Sequence, residues 1–338
     1  MFFDYTIRGL GLCRLTIYNM YSLAWTTLGL WCMVSVSNSL RIVQYNAEWL
    51  FIDHYSGFDC PGTQCTWKNT SEATTHLGYV SRVIDILQPD IVNICEVEGI
   101  HELQMVADSV YSKTYTPYLI PGTDTATGQN VGMLSVFPPA VPLYRTEQKA
   151  SYPIAGSACG YTGAPSTTGV SKHYITEFVL PANNLSVAFI SAHLIAIPTD
   201  PARCAQREAQ ATVLRGVVSG YVAKGYEVIL LGDMNDYDGS VPDINEHQPL
   251  SRVLDILRGD DLENIAQTIP SGERFSDWWD SDNNCNTASV ADYSMIDHIL
   301  VSPGIQKYIR NVFVYHGYDE YCGKYDSDHY PVVVDLKA

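Results

Sequence analysis

From residue 40 onward the chain repeats one pattern: a short apolar run, an abrupt stop at acids, amides or histidine, then an amphipathic stretch. LRIVQYNAEWLF reads as a strand that ends at Asn46 and Glu48. Residues 76–87 place Leu77, Val80, Val83, Ile84 and Leu87 at helical spacing, and Pro89 closes that helix. DIVNICEVE is a buried strand ending in Glu96 and Glu98, and a second helix starts near Gly99. TGQNVGMLSVF is a loop that runs into a strand, and HYITEFVL and NNLSVAFISAHL pair as a hairpin around PANN. Residues 202–223 read as a long helix. VILLGDMNDY then gives a strand covered on both faces, stopping at Gly-Asp-Met-Asn-Asp. A helix near 250–257, an irregular stretch over 259–293, and the strands MIDHILVS, IRNVFVYHG and SDHYPVVVDL complete the chain.

Strands alternate with helices in the first two thirds and the end is mostly strand. The pattern predicts an α/β chain whose sheets are not all parallel. No Pro/Gly/Ser linker divides residues 40–338, which reads as one domain.

The first 39 residues break the pattern. Arg8 and Arg14 precede an uncharged run over 15–40, with small residues at Ser35, Ser37 and Ser39. A cleaved signal peptide over 1–39 is expected. The run is also long enough to span a bilayer, so an uncleaved anchor is the alternative. The core strand that follows without a linker favours cleavage and a secreted protein. Six of the remaining cysteines lie in polar stretches, an even number that suits an exported disulfide framework. The expected pairs are Cys60–Cys65, Cys159–Cys204 and Cys285–Cys322, with Cys95 a free, buried thiol inside its strand. No CxxC pair or paired-histidine spacing points to zinc. Sequons stand at Asn69 and Asn184.

A formal net charge of -17 excludes a protein that grips nucleic acid through a broad basic surface. It leaves room for an enzyme that touches phosphate at one metal-loaded spot. Candidate residues for such a spot stand at strand ends: Asn46, Glu96, His193, Asp233, Asn235, Asp297, Asp328 and His329. Any one of them has a plain structural reading, since Asp, Asn and Gly also make turns. Together they offer oxygen donors for a hard divalent cation and imidazoles for proton transfer, at the place where open α/β sheets bind ligands.

YNAEWL, DIVNICEVEG, ISAHL, LLGDMNDY, MIDHILVS and DSDHYPV match, in that order, the motifs of the endonuclease/exonuclease/phosphatase superfamily, which this chain resembles over about residues 40–336. The resemblance implies a four-layer α/β sandwich, two packed mixed β-sheets flanked by helices. It implies a Mg2+ site (Mn2+ as the alternative ion) with Glu96 as main ligand, Asn46 beside it and Asp328 nearby. Asp233 and Asn235 would orient the attacking water and hold the phosphate. His329 would act on the phosphate, held by Asp297, with His193 facing it across the phosphate.

The substrate is less legible. The DH of YSMIDHILV stands where inositol 5-phosphatases carry DR, and LLGDMNDY and TDTATGQNVGML resemble secreted extracellular nucleases. That comparison turns Gln129 or Asn130 toward the substrate and puts Lys172 near the phosphate. An ordinary turn into a strand is the other reading of GQNVGM. FSDWWD is an aromatic patch that either stacks on substrate or covers a sheet edge. Three functions follow: a nuclease with nucleic acid as transient substrate, a sphingomyelinase-like or small phosphate ester hydrolase, or a silent surface protein that keeps the fold. A monomer without a stable protein partner is expected.

Overall fold

The computed structural model describes residues 39–53, 66–180, 184–280, 282, 284–318 and 324–337. Strand β1 (Ser39–Leu50) is followed by helix α1 (Thr70–Leu87), β2 (Ile91–Val97), α2 (Ile100–Ser109), β3 (Thr116–Leu119) and β4 (Asn130–Ser135). A small ribbon, β5 (Ala150–Tyr152) with β6 (Ser166–Thr168), precedes the hairpin of β7 (Lys172–Leu180) and β8 (Leu185–His193). Then come α3 (Pro201–Val222), β9 (Glu227–Asp233), α4 (Val253–Arg258), β10 (Glu263–Asn264), β11 (Asp277–Trp278) and β12 (Tyr293–Ser294). The chain closes with β13 (Asp297–Val301), α5 (Pro303–Gln306), β14 (Ile309–Val314) and β15 (Val332–Lys337).

Two mixed sheets carry the fold. The six-stranded sheet has the order β14-β15-β1-β2-β4-β3 and the five-stranded sheet the order β10-β13-β9-β8-β7. Strand parity builds the layers, because successive side chains point to opposite faces. Ile42, Ile91, Met133 and Val334 of the first sheet share one core with Phe178, Phe189, Ile229, Leu231 and Ile299 of the second. The opposite face of the first sheet, Val43, Tyr45, Val92 and Ile94, packs on Leu77, Val80, Ile84, Leu103 and Val106 of α1 and α2. The outer face of the second, Ile190, Val228, Leu230 and Leu300, packs on Leu214 and Val218 of α3 and Leu254 and Leu257 of α4. The result is the expected four-layer sandwich of helix, sheet, sheet and helix.

Several boundaries differ from the sequence reading. Helix α1 begins at Thr70, six residues before the expected start at 76. Asn69 caps it: its side-chain oxygen accepts from Glu72 N, and Glu72 Oε2 accepts from Lys68 N. This reciprocal cap contributes about 1 kcal/mol and lies in the segment first read as a sequon. Ser39, the last residue of the expected signal peptide, already pairs with Lys337 as part of β1. Residues 1–38 lie outside the described residues, as do Cys60, Cys65 and Cys322. The expected Cys159–Cys204 disulfide is present and Cys95 is free and buried. No helix among the described residues is long and apolar enough to cross a membrane.

Candidate active site between the two sheets

The same parity that places Ile42 in the core between the sheets places Gln44 and Asn46 there too, rising toward one end of the sandwich. On the facing sheet Lys172, His193, Asp233 and Asp297 take equivalent inward positions. His193 pairs with Asp233 across β8–β9, Asp233 with Asp297 across β9–β13, and Lys172 with His193 across β7–β8. Gly232 permits the approach of the two central strands, since a Cβ there would stand 1.8 Å from the Ala192 carbonyl oxygen.

Glu96 reaches the group by a different route. It adopts φ 62° at a register shift between Cys95 and Val97, and Glu48 and Trp49 adopt φ 44° and 49° at a matching shift in β1. These two adjacent bulges re-aim the strand ends. Glu96 Oε1 then accepts from Asn46 Nδ2 at 3.3 Å and Oε2 from Trp49 N at 3.0 Å.

Asp233 is the hub. Its Oδ2 accepts from Asn46 Nδ2 at 3.0 Å and lies 3.5 Å from His193 Nε2 and 4.0 Å from His329 Nε2. Its Oδ1 accepts from Asn235 N at 2.9 Å. His329 Nδ1 donates to Asp297 Oδ2 at 2.7 Å, and Ser276 Oγ donates to the same oxygen at 2.9 Å. Around His329 Nε2 stand Asn46 Nδ2 at 3.3 Å, Asp277 Oδ1 at 3.6 Å and Asp328 Oδ1 at 3.9 Å. Lys172 Nζ lies 3.3 Å from His193 Nε2 and donates to Gln129 Oε1 at 3.1 Å.

The electrostatics divide the two histidines. Burial would lower the proton affinity of His329, but the charges of Asp297 and Asp328 and the hydrogen bond to Asp297 outweigh it and hold the pKa well above the usual value. Burial, with Lys172 close by, pushes His193 well below it. Burial lifts Asp233 to about 7, reinforced by Asp297. Burial also lifts Glu48 to about 7 and Asp277 to about 6, and raises Asp328 strongly with Glu48 beside it. Asp328 Oδ1 is buried with no hydrogen-bond donor among the described residues. An oxygen-rich group short of positive charge, with one orphaned carboxylate oxygen, fits a hard divalent cation. Asp233, Asp297 and His329 offer ligand atoms within 4.8 Å of one another. A second such group, Asp53, His101 and Glu102, lies at the start of α2.

The structure therefore brings Asn46, Glu96, Lys172, His193, Asp233, Asp297, Asp328, His329 and Gln129 into one cluster. Asn235 stands at its edge, with its amide N–H on Asp233 and its Nδ2 donating to Leu194 O. Asn130 does not face the cluster's cations. Its side chain is taken up by backbone, accepting from Gly122 N and donating to Glu98 O and Gly128 O. Glu98 is structural, accepting from Ile52 N and Asp53 N. His173 is fully buried between Thr146 N and Val170 O, and the half-buried His316 stacks on Phe275. Sequence reasoning marked Glu48 as a strand-end acid without giving it a role, and missed Asp277, Gln44 and Ser276. Within FSDWWD, Ser276, Asp277 and Trp278 are buried and Trp279 is exposed. The patch is cover with one acid aimed at His329.

The endonuclease/exonuclease/phosphatase family model matches residues 44–329, and the chain belongs to that family, whose members are metal-dependent phosphoric ester hydrolases. Comparison with curated proteins gives no significant match. Among solved structures, truncated TDP2 from Caenorhabditis elegans is 17% identical with a TM-score of 0.52, covering 89% of this chain and 98% of that one. An endonuclease/exonuclease/phosphatase from Beutenbergia cavernae is 15% identical with a TM-score of 0.53, covering 88% and 71%. A mannosyl-6-phosphatase from Bacteroides thetaiotaomicron is 16% identical with a TM-score of 0.50, covering 88% and 99%. At these identities the likeness is one of fold.

Proposed function

We propose that this member of the endonuclease/exonuclease/phosphatase family is a secreted, Mg2+-dependent phosphodiesterase that hydrolyses DNA or RNA by in-line attack of water on phosphorus. One observation carries the reading: His193 Nε2 and His329 Nε2 stand 3.5 Å and 4.0 Å from the same Asp233 oxygen, the proton affinity of the first lowered by burial and that of the second raised by its carboxylates. A phosphate seated there meets a cationic imidazole on one side, and a neutral imidazole with Lys172 on the other. Asp233, with a carboxyl near 7, takes the proton of the attacking water while Asn235 holds its orientation. His329, oriented by Asp297, donates toward the phosphoryl or leaving oxygen. Glu96, Asn46 and Asp328 would hold the cation, which supplies charge to offset that growing on the phosphoryl oxygens.

A small phosphate ester is the second reading. It is favoured by the net charge of -17 and by Lys172 being buried, so that the site offers one phosphate a cation without offering a polyanion a track. Incubating the purified chain with plasmid DNA, RNA, sphingomyelin vesicles and sugar phosphates, with Mg2+ or chelator, separates the two. Metal-dependent polymer cleavage is the expected result. Turnover of only lipid or small esters overturns the nuclease reading and leaves the hydrolase reading standing.

A further inference from the structure

Behind the Asp297–His329 pair, three polar side chains cross the interior between the two sheets. Tyr174 Oη donates to Asn93 Oδ1 at 2.8 Å. Asn93 Nδ2 donates to Gln44 Oε1 at 2.5 Å, and Gln44 Nε2 donates to Asp297 Oδ1 at 3.0 Å. Tyr174, Asn93 and Gln44 are fully buried. Apolar residues of the same size would fill these positions at no cost in unmet hydrogen bonds, so the chain of amides is an expense that packing alone does not explain.

We propose that Tyr174, Asn93 and Gln44 form a one-way hydrogen-bond chain that positions Asp297, and through it His329, for the hydrolysis inferred above. The direction is set at the carboxylate. Asp297 Oδ1 can only accept, so Gln44 turns Nε2 toward it and Oε1 away. Gln44 Oε1 then takes the Asn93 Nδ2 hydrogen, which leaves Asn93 Oδ1 to accept from Tyr174 Oη. Cys95 Sγ, 3.5 Å from Gln44 Nε2 and 3.8 Å from Asn93 Nδ2, sits on the donor side of both amides and agrees with that orientation. Asp297 Oδ1 then receives Gln44, and Oδ2 is left to Ser276 and His329. With either amide flipped, an oxygen would face an oxygen, and Asp297 would lose the contact that holds it square to the imidazole. None of the three residues touches substrate, so they are positioning residues.

Two variants test this, Tyr174→Phe, which removes one hydroxyl four hydrogen bonds from His329, and Gln44→Met, which keeps length and loses both bonds. The primary readout does not need activity: 15N chemical shifts of the His329 ring in the metal-free, 15N-histidine-labelled chain at fixed pH. Both variants are expected to shift the His329 ring nitrogens while leaving those of buried His173 unmoved. With a substrate in hand, kcat is expected to fall about tenfold at nearly constant KM, as for loss of an orienting partner. If Gln44→Met does not fold, Tyr174→Phe decides alone. Unchanged His329 nitrogens in folded Tyr174→Phe overturn the proposal. If the nitrogens move but no phosphate ester is turned over by the parent chain, the positioning chain stands and the hydrolase reading falls.

Discussion

Asp233 and Asp297 stand directly opposite each other on β9 and β13, two buried carboxylates in one cross-strand pair. Like charges in that relation destabilise a sheet, and each is attended by its own histidine, Asp297 by His329 and Asp233 by His193. The arrangement stores unfavourable charge at the site until something positive enters.

A stability profile follows. Asp233 and Glu48 are held at about 7 and Asp277 at about 6 in the fold, above the usual carboxylate range reached on unfolding. For a raised carboxyl the folded chain binds more protons, so its stability is full below about 4 and is lost as pH rises through 6 to 7. Each tenfold change in proton affinity corresponds to about 1.4 kcal/mol. The buried histidines His76 and His173, both lowered to about 4, give the opposite slope with or without metal, so the carboxyl contribution is read as a difference: the rise in melting temperature on adding millimolar Mg2+ is expected to grow from pH 4.5 to 7.5. A rise that does not grow across that window contradicts the charge-deficient site.

Asp277 flanks His329 at Nε2 while Asp297 holds Nδ1. Asp277→Asn removes one of the charges that favour the imidazolium. The alkaline limb of the pH profile of kcat/KM is expected to move to lower pH, because His329 would lose its proton sooner. A limb that stays in place shows that His329 does not supply that proton.

Gly232→Ala tests the seam between β8 and β9. The added Cβ meets backbone, the Ala192 carbonyl oxygen and carbon, which a rotamer change cannot relieve. A loss of about 3 kcal/mol in denaturant unfolding is expected, with activity lost in parallel as His193 and Asp233 separate. Near-parental stability would mean that the strands part easily.

Arg207 is fully buried and pins two site loops together. Nε donates to Asp236 Oδ2 at 3.0 Å, while the guanidinium donates to the carbonyls of Ile195, Ile197 and Pro198 just beyond His193. Arg207→Met leaves Asp236 buried without its cation, and about 3–5 kcal/mol is the expected cost. Arg207→Lys is expected to rescue little of it, because an ammonium cannot span Asp236 and three carbonyls. Urea unfolding of both variants measures this, and full rescue by lysine contradicts the pin.

Much of this was legible in the residues. The strands ending at Asn46, Glu96, His193 and Asp233 were readable because apolar runs broke off at polar groups, and their order carried the fold class. Asp277 was hidden because its strand is two residues long, inside a stretch without periodicity. Glu48 was visible as a strand-end acid, but its turn toward Asp328 was hidden by a bulge, since alternation alone cannot announce a residue at positive φ. Gln44 and Asn93 had a signal that went unused: each interrupts an apolar strand at the parity that faces the other sheet. The burial of His173 carried no signal, because its partners Thr146 and Val170 lie in irregular segments. The start of α1 was missed because Asn69 was read only for glycosylation and its cap partner Glu72 was not read at all.

The most direct test of the central claim is hydrolysis of bis(p-nitrophenyl) phosphate by the purified chain, in Mg2+ and in chelator, beside His193→Ala and Asp233→Ala. The account predicts turnover that needs the metal and falls at least about 100-fold in each variant, with melting temperatures that show both remain folded. Turnover that survives in chelator, or in either folded variant, would contradict a phosphate site built around Asp233 and its two histidines.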